Sequence, residues 1–168
     1  MLSIAWLIFA ALMLVAAVFD VATYRIPNLL VLVVLLVFAA LAIIHSDEVA
    51  WLNHAGAFIL VLGAGLFLYS IGQMGAGDAK LLAAVALWSG VYSGPGVYPI
   101  IALLFWVSLC GLAGMLMILV LRHLAPRFSE PTSLPRVLQK KQGIPYGIGI
   151  GPGAIIASLS FPPWLWQQ

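Results

Sequence analysis

The sequence predicts an all-α integral membrane protein with about six transmembrane helices. Of its 168 residues, 64% are hydrophobic and 7% are charged, and the mean hydropathy is +1.16. A soluble domain carries about 25% charged residues, and a water-soluble fold could not bury this much apolar surface. The net charge of +2 is too small to indicate a nucleic-acid partner. The single cysteine, Cys110, allows neither an internal disulfide nor a cysteine-based zinc site.

Six apolar stretches have the length, or nearly the length, of a spanning helix, which needs about 20 residues. Neither Lys nor Arg precedes the first stretch, so the basic region of a signal peptide is missing and we expect this stretch to remain as a span. The fourth stretch is short, and the sixth contains Pro162 and Pro163, where we expect a break. The predicted spans are Leu2–Phe19, Leu29–Ile44, Ala55–Ile71, Ala79–Tyr92, Tyr98–Leu121 and Gly147–Leu165.

Every Lys and Arg falls on one side of this six-span arrangement. Arg25 lies in the first loop, Lys80 at the third, and the other five in a long basic loop at 122–146, whereas the second and fourth loops carry none. The positive-inside rule makes that side cytoplasmic and both termini periplasmic. We expect one polytopic domain over 1–168. Aromatic residues near the outer ends fit an interfacial belt: Trp51, Trp88, Tyr92, Tyr98 and Trp164.

Two aspartates lie at the predicted cytoplasmic ends of spans, in LVAAVFDVATYRIPN (Asp20) and QMGAGDAKLLAAVALW (Asp78). An ionised acid costs about 2.5–3.5 kcal/mol at the centre of a membrane helix and less near its end, so it usually faces protein or a water-filled cavity. One interpretation is structural, with each acid capping a helix. It suits Asp78, which precedes an apolar helix, but not Asp20, because an acid at a helix C-terminus opposes the macrodipole.

The functional interpretation requires the two carboxyl groups to lie close together. They then cannot both ionise easily, and one keeps a proton near neutral pH. The ionised group can take a proton from a water that attacks a peptide carbonyl, while the protonated group donates to the carbonyl oxygen. This chemistry uses neither metal nor cofactor. Gly75 and Gly77, beside Asp78, would allow positive φ or the close approach of a substrate strand.

The segments DVATYRIPN, GAGDAK and PYGIGIGPGA together resemble the type IV prepilin peptidases. That family has an Asp at the end of one span, followed by a segment ending in I/L-P-N/D. It also has a G-x-G-D opening a later span and a Pro-aromatic-Gly stretch before the last helix. The resemblance implies a GxGD-type aspartyl protease architecture with Asp20 and Asp78 as the catalytic pair. The motif residues expected to shape the site are Gly75, Gly77, Pro27, Asn28, Lys80, Pro145 and Gly147.

The same resemblance implies a substrate and a location. The family cleaves the leader peptide of prepilins or pseudopilins, ahead of an apolar helix, at the cytoplasmic face of the bacterial inner membrane, in pilus assembly and protein secretion. Long members carry an additional N-terminal domain with paired cysteines that is linked to N-methylation. No cysteine pair exists here, so the chain resembles the short form of tight-adherence (Flp) pilus systems, and methyl transfer is not expected.

Three other functions stay open on the sequence alone. A serine protease would use Ser89 or Ser93, but their surroundings lack the first Gly of a rhomboid motif and a matching His. A small transporter could use the Asp pair as a cation or proton site, although both acids lie at one face rather than at the midplane. A non-catalytic assembly subunit could retain both acids. Lys80 does not share a helix face with Asp78 and is interpreted as a snorkelling anchor.

Overall fold

The computed structural model describes residues 3–94, 98–124 and 146–165. Within these ranges the chain forms six α-helices in the order of the six apolar stretches, and two short 3-10 helices follow the last of them. The α-helices are α1 (Ile4–Thr23), α2 (Asn28–Ile44), α3 (Trp51–Ser70), α4 (Ala76–Ser89), α5 (Pro99–Leu124) and α6 (Gly147–Ala157).

Several helix ends differ from the prediction. α4 begins at Ala76 rather than Ala79, so Asp78 lies inside its first turn rather than before it. α1 continues past Phe19 to Thr23, so Asp20 lies inside its last turn rather than after it. α5 continues past Leu121 to Leu124, which places Arg122 in a helix and not in the predicted loop at 122–146. The predicted break in the sixth span is confirmed. α6 ends at Ala157, and the 3-10 helices Ser158–Ser160 and Pro163–Leu165 follow it.

The helices fall into two groups by length. Of the residues that the structure describes, α1, α3 and α5 form helices long and apolar enough to cross a membrane, whereas α2 and the stretch 147–160 are apolar but shorter. α4 has 14 residues and is about 21 Å long, less than the roughly 30 Å of a bilayer core. Length and composition therefore support three spans directly.

α4 lies at the centre of the bundle. It packs most extensively against α3 and also contacts α2, α5 and α6. Its alanines leave room for these neighbours: Gly65 of α3 lies so close that a Cβ on it would come within 2.9 Å of the Ala79 Cβ. Because other helices surround α4, its first turn, which carries Asp78, is held from several sides.

Alternate glycines of α6 pack against different helices. A Cβ at Gly149 would lie 2.6 Å from the Gly111 Cα of α5, and one at Gly151 would lie 2.7 Å from the Met13 carbonyl oxygen of α1. Such small residues let helix backbones approach closely, as is typical of helix interfaces in membrane proteins. α6 is wedged between α1 and α5, and its first residue reaches the end of α1 where Asp20 lies.

The predicted aromatic belt is wrong for Trp88 and Trp164, which are buried at the end of the bundle opposite Asp20. Their rings pack with Phe9, Phe38 and His54: the Phe9 and Trp88 centroids are 4.8 Å apart, and those of His54 and Trp164 are 5.5 Å apart. Packing in the bundle explains these two tryptophans better than contact with lipid headgroups does. The other three residues are about half exposed: Trp51, Tyr92 and Tyr98.

Candidate active site

Asp20 is buried in the last turn of α1, and its carboxylate contacts the start of α6. Its Oδ2 accepts a hydrogen bond of 2.6 Å from the backbone N–H of Gly147, the first residue of α6. A Cβ at Gly147 would lie 2.6 Å from the Asp20 Cβ, so only glycine leaves room for this contact. The carboxylate opposes the dipole of its own helix but lies at the positive end of the α6 dipole. This contact explains how an acid is accommodated at the C-terminal end of α1, which the sequence around Asp20 does not explain.

Asp78 is buried in the first turn of α4, three residues after the N-cap Gly75. Its carboxylate lies against the backbone amide of Gly75, in the way that an acid at this helix position contacts the N-cap N–H. Its Oδ1 is buried and has no hydrogen-bond partner among the described residues. Asp78 therefore serves as a helix cap with one carboxylate oxygen, and the other oxygen is left unsatisfied.

Both aspartates line one cleft of about 310 Å³, between the ends of α1 and the starts of α2 and α4. Both residues of the predicted pair therefore lie on the walls of one cleft. The other lining residues are Tyr24, Arg25, Ile26, Asn28, Gly75, Ala76, Gly77 and Lys80.

The two glycines before Asp78 permit close approach, not positive φ. Gly75 has φ −73° and ψ 145°, an extended conformation, and a Cβ on it would lie 2.5 Å from the Asp78 Oδ2. A Cβ on Gly77 would lie 3.3 Å from the Ile26 Cβ, in the segment between α1 and α2. The positive-φ alternative is wrong here, and the turn before α4 uses Gly72, at φ 74°, instead. Both glycines let the walls of the cleft approach each other.

Pro27 and Asn28, two of the residues expected to shape the site, lie at the start of α2. Pro27 is the N-cap and Asn28 the first helical residue, and no side chain caps this helix. The Asn28 Oδ1 instead accepts a hydrogen bond of 3.2 Å from the Nζ of Lys80. Lys80 is exposed and lines the cleft, and this bond joins the starts of α2 and α4. Pro145 lies outside the described residues.

Sequence reasoning missed Tyr24, another residue of the cleft. Its backbone is left-handed, with φ 56° and ψ 27°, and its N–H donates a hydrogen bond of 2.8 Å to the Asp20 carbonyl oxygen. Its hydroxyl is buried and lacks a hydrogen-bond partner within residues 3–94, 98–124 and 146–165. Left-handed backbone is rare for a bulky residue. The only signal in the sequence was its place inside DVATYRIPN.

The rival sites receive no support from the geometry. Ser89 is fully buried at the end of α4 opposite Asp78, and its hydroxyl donates to the Ala86 carbonyl oxygen at 2.9 Å. In the part of the chain that the structure describes, no three His, Cys, Asp or Glu side chains are grouped to hold a metal ion. The cleft thus contains two carboxyl groups, one of which has an oxygen without a hydrogen-bond partner among the described residues. Such groups can exchange protons with a polar ligand.

A family model described as the type IV leader peptidase family matches residues 7–122. The matched stretch contains both aspartates and all the residues that line the cleft. No curated protein and no solved structure matched the chain. Because the family match covers more than half of the 168 residues, the chain belongs to the type IV leader peptidase family.

Proposed function

We propose that the chain is a membrane aspartyl endopeptidase that removes the leader peptide from type IV prepilins or pseudopilins, with Asp20 and Asp78 as its catalytic pair. The observation that carries the proposal is that these two buried carboxyl groups, from different helices, line one cleft. Membership of the leader peptidase family supplies the class of substrate.

The mechanism follows from sharing one proton between two neighbouring carboxyl groups. The ionised group removes a proton from a water molecule, whose oxygen attacks the scissile carbonyl carbon. The protonated group donates its proton to the carbonyl oxygen, which gives a neutral tetrahedral intermediate. When that intermediate collapses, the C–N bond breaks and the leaving amine takes a proton from one carboxyl group. As the carbonyl re-forms, a hydroxyl of the intermediate returns its proton to the other carboxylate, so the pair again holds one proton. The protonation steps that control activity are therefore properties of the pair of carboxyl groups and not of either residue alone.

The contacts of the two residues suit different tasks within this mechanism. The Gly147 N–H holds Asp20 Oδ2 at 2.6 Å and fixes the orientation of that carboxylate. The Oδ1 of Asp78 is buried and has no partner among the described residues, so it can still accept a hydrogen bond from a water or substrate that enters the cleft. Lys80, tied to Asn28, keeps the starts of α2 and α4 together at the rim of the cleft. Such fixed positioning is what general acid–base catalysis requires.

The proposed setting is the bacterial inner membrane, with six spans, both termini in the periplasm and the cleft at the cytoplasmic face. Its support is the one-sided distribution of Lys and Arg. The Asp20–Gly147 bond brings the end of α1 and the start of α6 to the same end of the bundle, as that topology requires. The proposed substrate is a Flp-like prepilin whose leader precedes an apolar helix, and one polytopic domain over 1–168 carries the site.

One alternative has a specific observation in its favour. Both acids lie at the N-terminus of a helix, Asp20 at α6 and Asp78 at α4. Two helix caps would suffice for a non-catalytic assembly subunit of a pilus system. Catalysis and capping are separable because Asn keeps the acceptor oxygen of Asp but cannot carry the shared proton.

The decisive experiment is co-expression with candidate prepilins, with cleavage followed by a gel shift. Asp20→Asn and Asp78→Asn should each abolish cleavage while membrane insertion holds. The double variant should be hardly worse, because groups that act as one unit are not additive. Asp47→Asn, an exposed acid at the opposite end of the bundle, is the matched control and should cleave normally. Substantial cleavage by either well-inserted single variant would refute the paired-aspartate mechanism, whereas absence of cleavage by the well-inserted wild type would favour the non-catalytic alternative.

A further inference from the structure

Two buried polar atoms at the cleft have no hydrogen-bond partner among the described residues. They are the hydroxyl oxygen of Tyr24 and Oδ1 of Asp78, and both residues line the same cleft of about 310 Å³. Native proteins satisfy the large majority of buried polar atoms. Two exceptions at one small cleft indicate a polar guest. A hydroxyl can donate and a carboxylate oxygen can accept, so the guest must offer both an acceptor and a donor.

The backbone of Tyr24 is hydrogen-bonded to the backbone of Asp20. Its left-handed backbone is held by the bond from its own N–H to the Asp20 carbonyl oxygen, at 2.8 Å. The neighbouring Thr23 hydroxyl donates to the Phe19 carbonyl oxygen at 2.8 Å and accepts from the Arg25 N–H at 3.2 Å. Sparsely populated backbone conformations of this kind persist only where the surroundings hold them, and they cluster at active sites. The turn therefore fixes the Tyr24 backbone relative to the Asp20 backbone, at the cleft that both residues line.

We propose that the Tyr24 hydroxyl donates a hydrogen bond to the carbonyl oxygen of the scissile peptide bond. A peptide group fits the cleft because it offers an acceptor and a donor together. As the attacking water adds, negative charge develops on the carbonyl oxygen, and a fixed donor stabilises that charge more strongly than it binds the substrate. Tyr24 thereby supplements the proton donated by the protonated aspartate. The inference rests on the proposed peptidase function.

The test is Tyr24→Phe, which keeps the ring and removes the hydroxyl oxygen. Tyr98→Phe is the matched control, since Tyr98 is 48% exposed and lies at the opposite end of the bundle. Both purified full-length variants are assayed in detergent on a prepilin that the wild-type protein cleaves, and activity is normalised to folded protein. For Tyr24→Phe we expect kcat to fall about 10²-fold, as for loss of one oxyanion donor, with KM nearly unchanged. Tyr98→Phe should match the wild type.

Three results would overturn the inference. The first is a kcat for Tyr24→Phe within about threefold of the wild type, as expected if water alone satisfies the hydroxyl. The second is a higher KM at unchanged kcat, which marks a contact made equally in the ground state. The third is a displaced pH–rate profile with full activity at its optimum, which marks an effect on the aspartates rather than on the substrate. If the wild-type protein cleaves no prepilin, the proposed function fails, and that outcome is distinct from all three.

Discussion

Replacing Gly147 by Ala tests whether the contact between α6 and Asp20 positions the site. A Cβ at this residue would lie 2.6 Å from the Asp20 Cβ, 2.8 Å from Oδ2 and 3.0 Å from Cγ. Carbon–carbon contacts are normally about 3.5–4.0 Å, so the carboxylate or the helix must move by about 1 Å. The bond at 2.6 Å would then lengthen or break, and a hydrogen bond to a charged group contributes about 1.5–3 kcal/mol.

The assay for Gly147→Ala is the initial rate of prepilin cleavage in detergent, divided by the amount of folded, membrane-extracted protein. A displacement of about 1 Å in a reacting group lowers the rate by up to about 10²-fold, and we expect a loss of that order. Gly63→Ala is the matched control, because it lies in α3 and a Cβ there meets nothing within 4 Å. In an Asp20→Asn background, which we expect to be inactive, Gly147→Ala should remove no further activity.

The reasoning would be refuted if Gly147→Ala cleaved at the wild-type rate per folded molecule. A second informative result is a lower thermal midpoint with unchanged specific activity. That pattern would mean that the Asp20–Gly147 bond only stabilises the fold, since a cap contributes to stability without touching the chemistry. The proposed mechanism requires both stability and specific activity to fall.

Three further predictions concern the mechanism, the topology and the separation of site from scaffold. Cleavage in detergent should survive EDTA, because two carboxyl groups suffice for the chemistry, and a loss that zinc restores would contradict the aspartyl mechanism. In a cysteine-free background, single cysteines at Ser46 and Ser93 should react with an impermeant thiol reagent from the periplasm, and one at Ser133 only after permeabilisation. Labelling of Ser133 in intact cells would reverse the topology. Asn53→Ala should lower the stability by about 1–3 kcal/mol, because the Asn53 side chain bonds the backbone of Val91 and Tyr92. Its cleavage rate per folded molecule should not change, since these bonds lie at the end opposite Asp20, and a selective loss of turnover would show coupling between the two ends.

The helices were predictable from the sequence because apolar length alone specifies a span. The order of the six apolar stretches and the break near Pro162 both hold. Helix ends were less predictable: α1 runs past Phe19 to Thr23, and Asp20 in this extra turn has its hydrogen-bond partner on another helix. The interface position of Trp88 was wrong for a related reason. An aromatic residue near the end of an apolar stretch suits lipid headgroups and a buried cluster equally well, and packing decides between them.

At the site, Asp78 was predictable because its G-x-G-D context is local. Asp20 was identified as half of a pair, but its contact with Gly147 joins residues 127 positions apart. No window of sequence contains both. Tyr24 carried no signal beyond its place inside DVATYRIPN, because tyrosine is not a residue that favours left-handed backbone. The glycines were expected to make room for a substrate, whereas they make room for Asp78 and Ile26.

The bond from Gly147 to Asp20 also has a consequence for biosynthesis. Both aspartates belong to the first four helices of the chain, but the amide that orients Asp20 belongs to α6, the last α-helix of the described residues to leave the ribosome. A nascent chain synthesised only as far as α5 contains both acids but lacks the donor that orients one of them. Under the proposed mechanism, peptidase activity therefore begins only after α6 has been made and has inserted between α1 and α5.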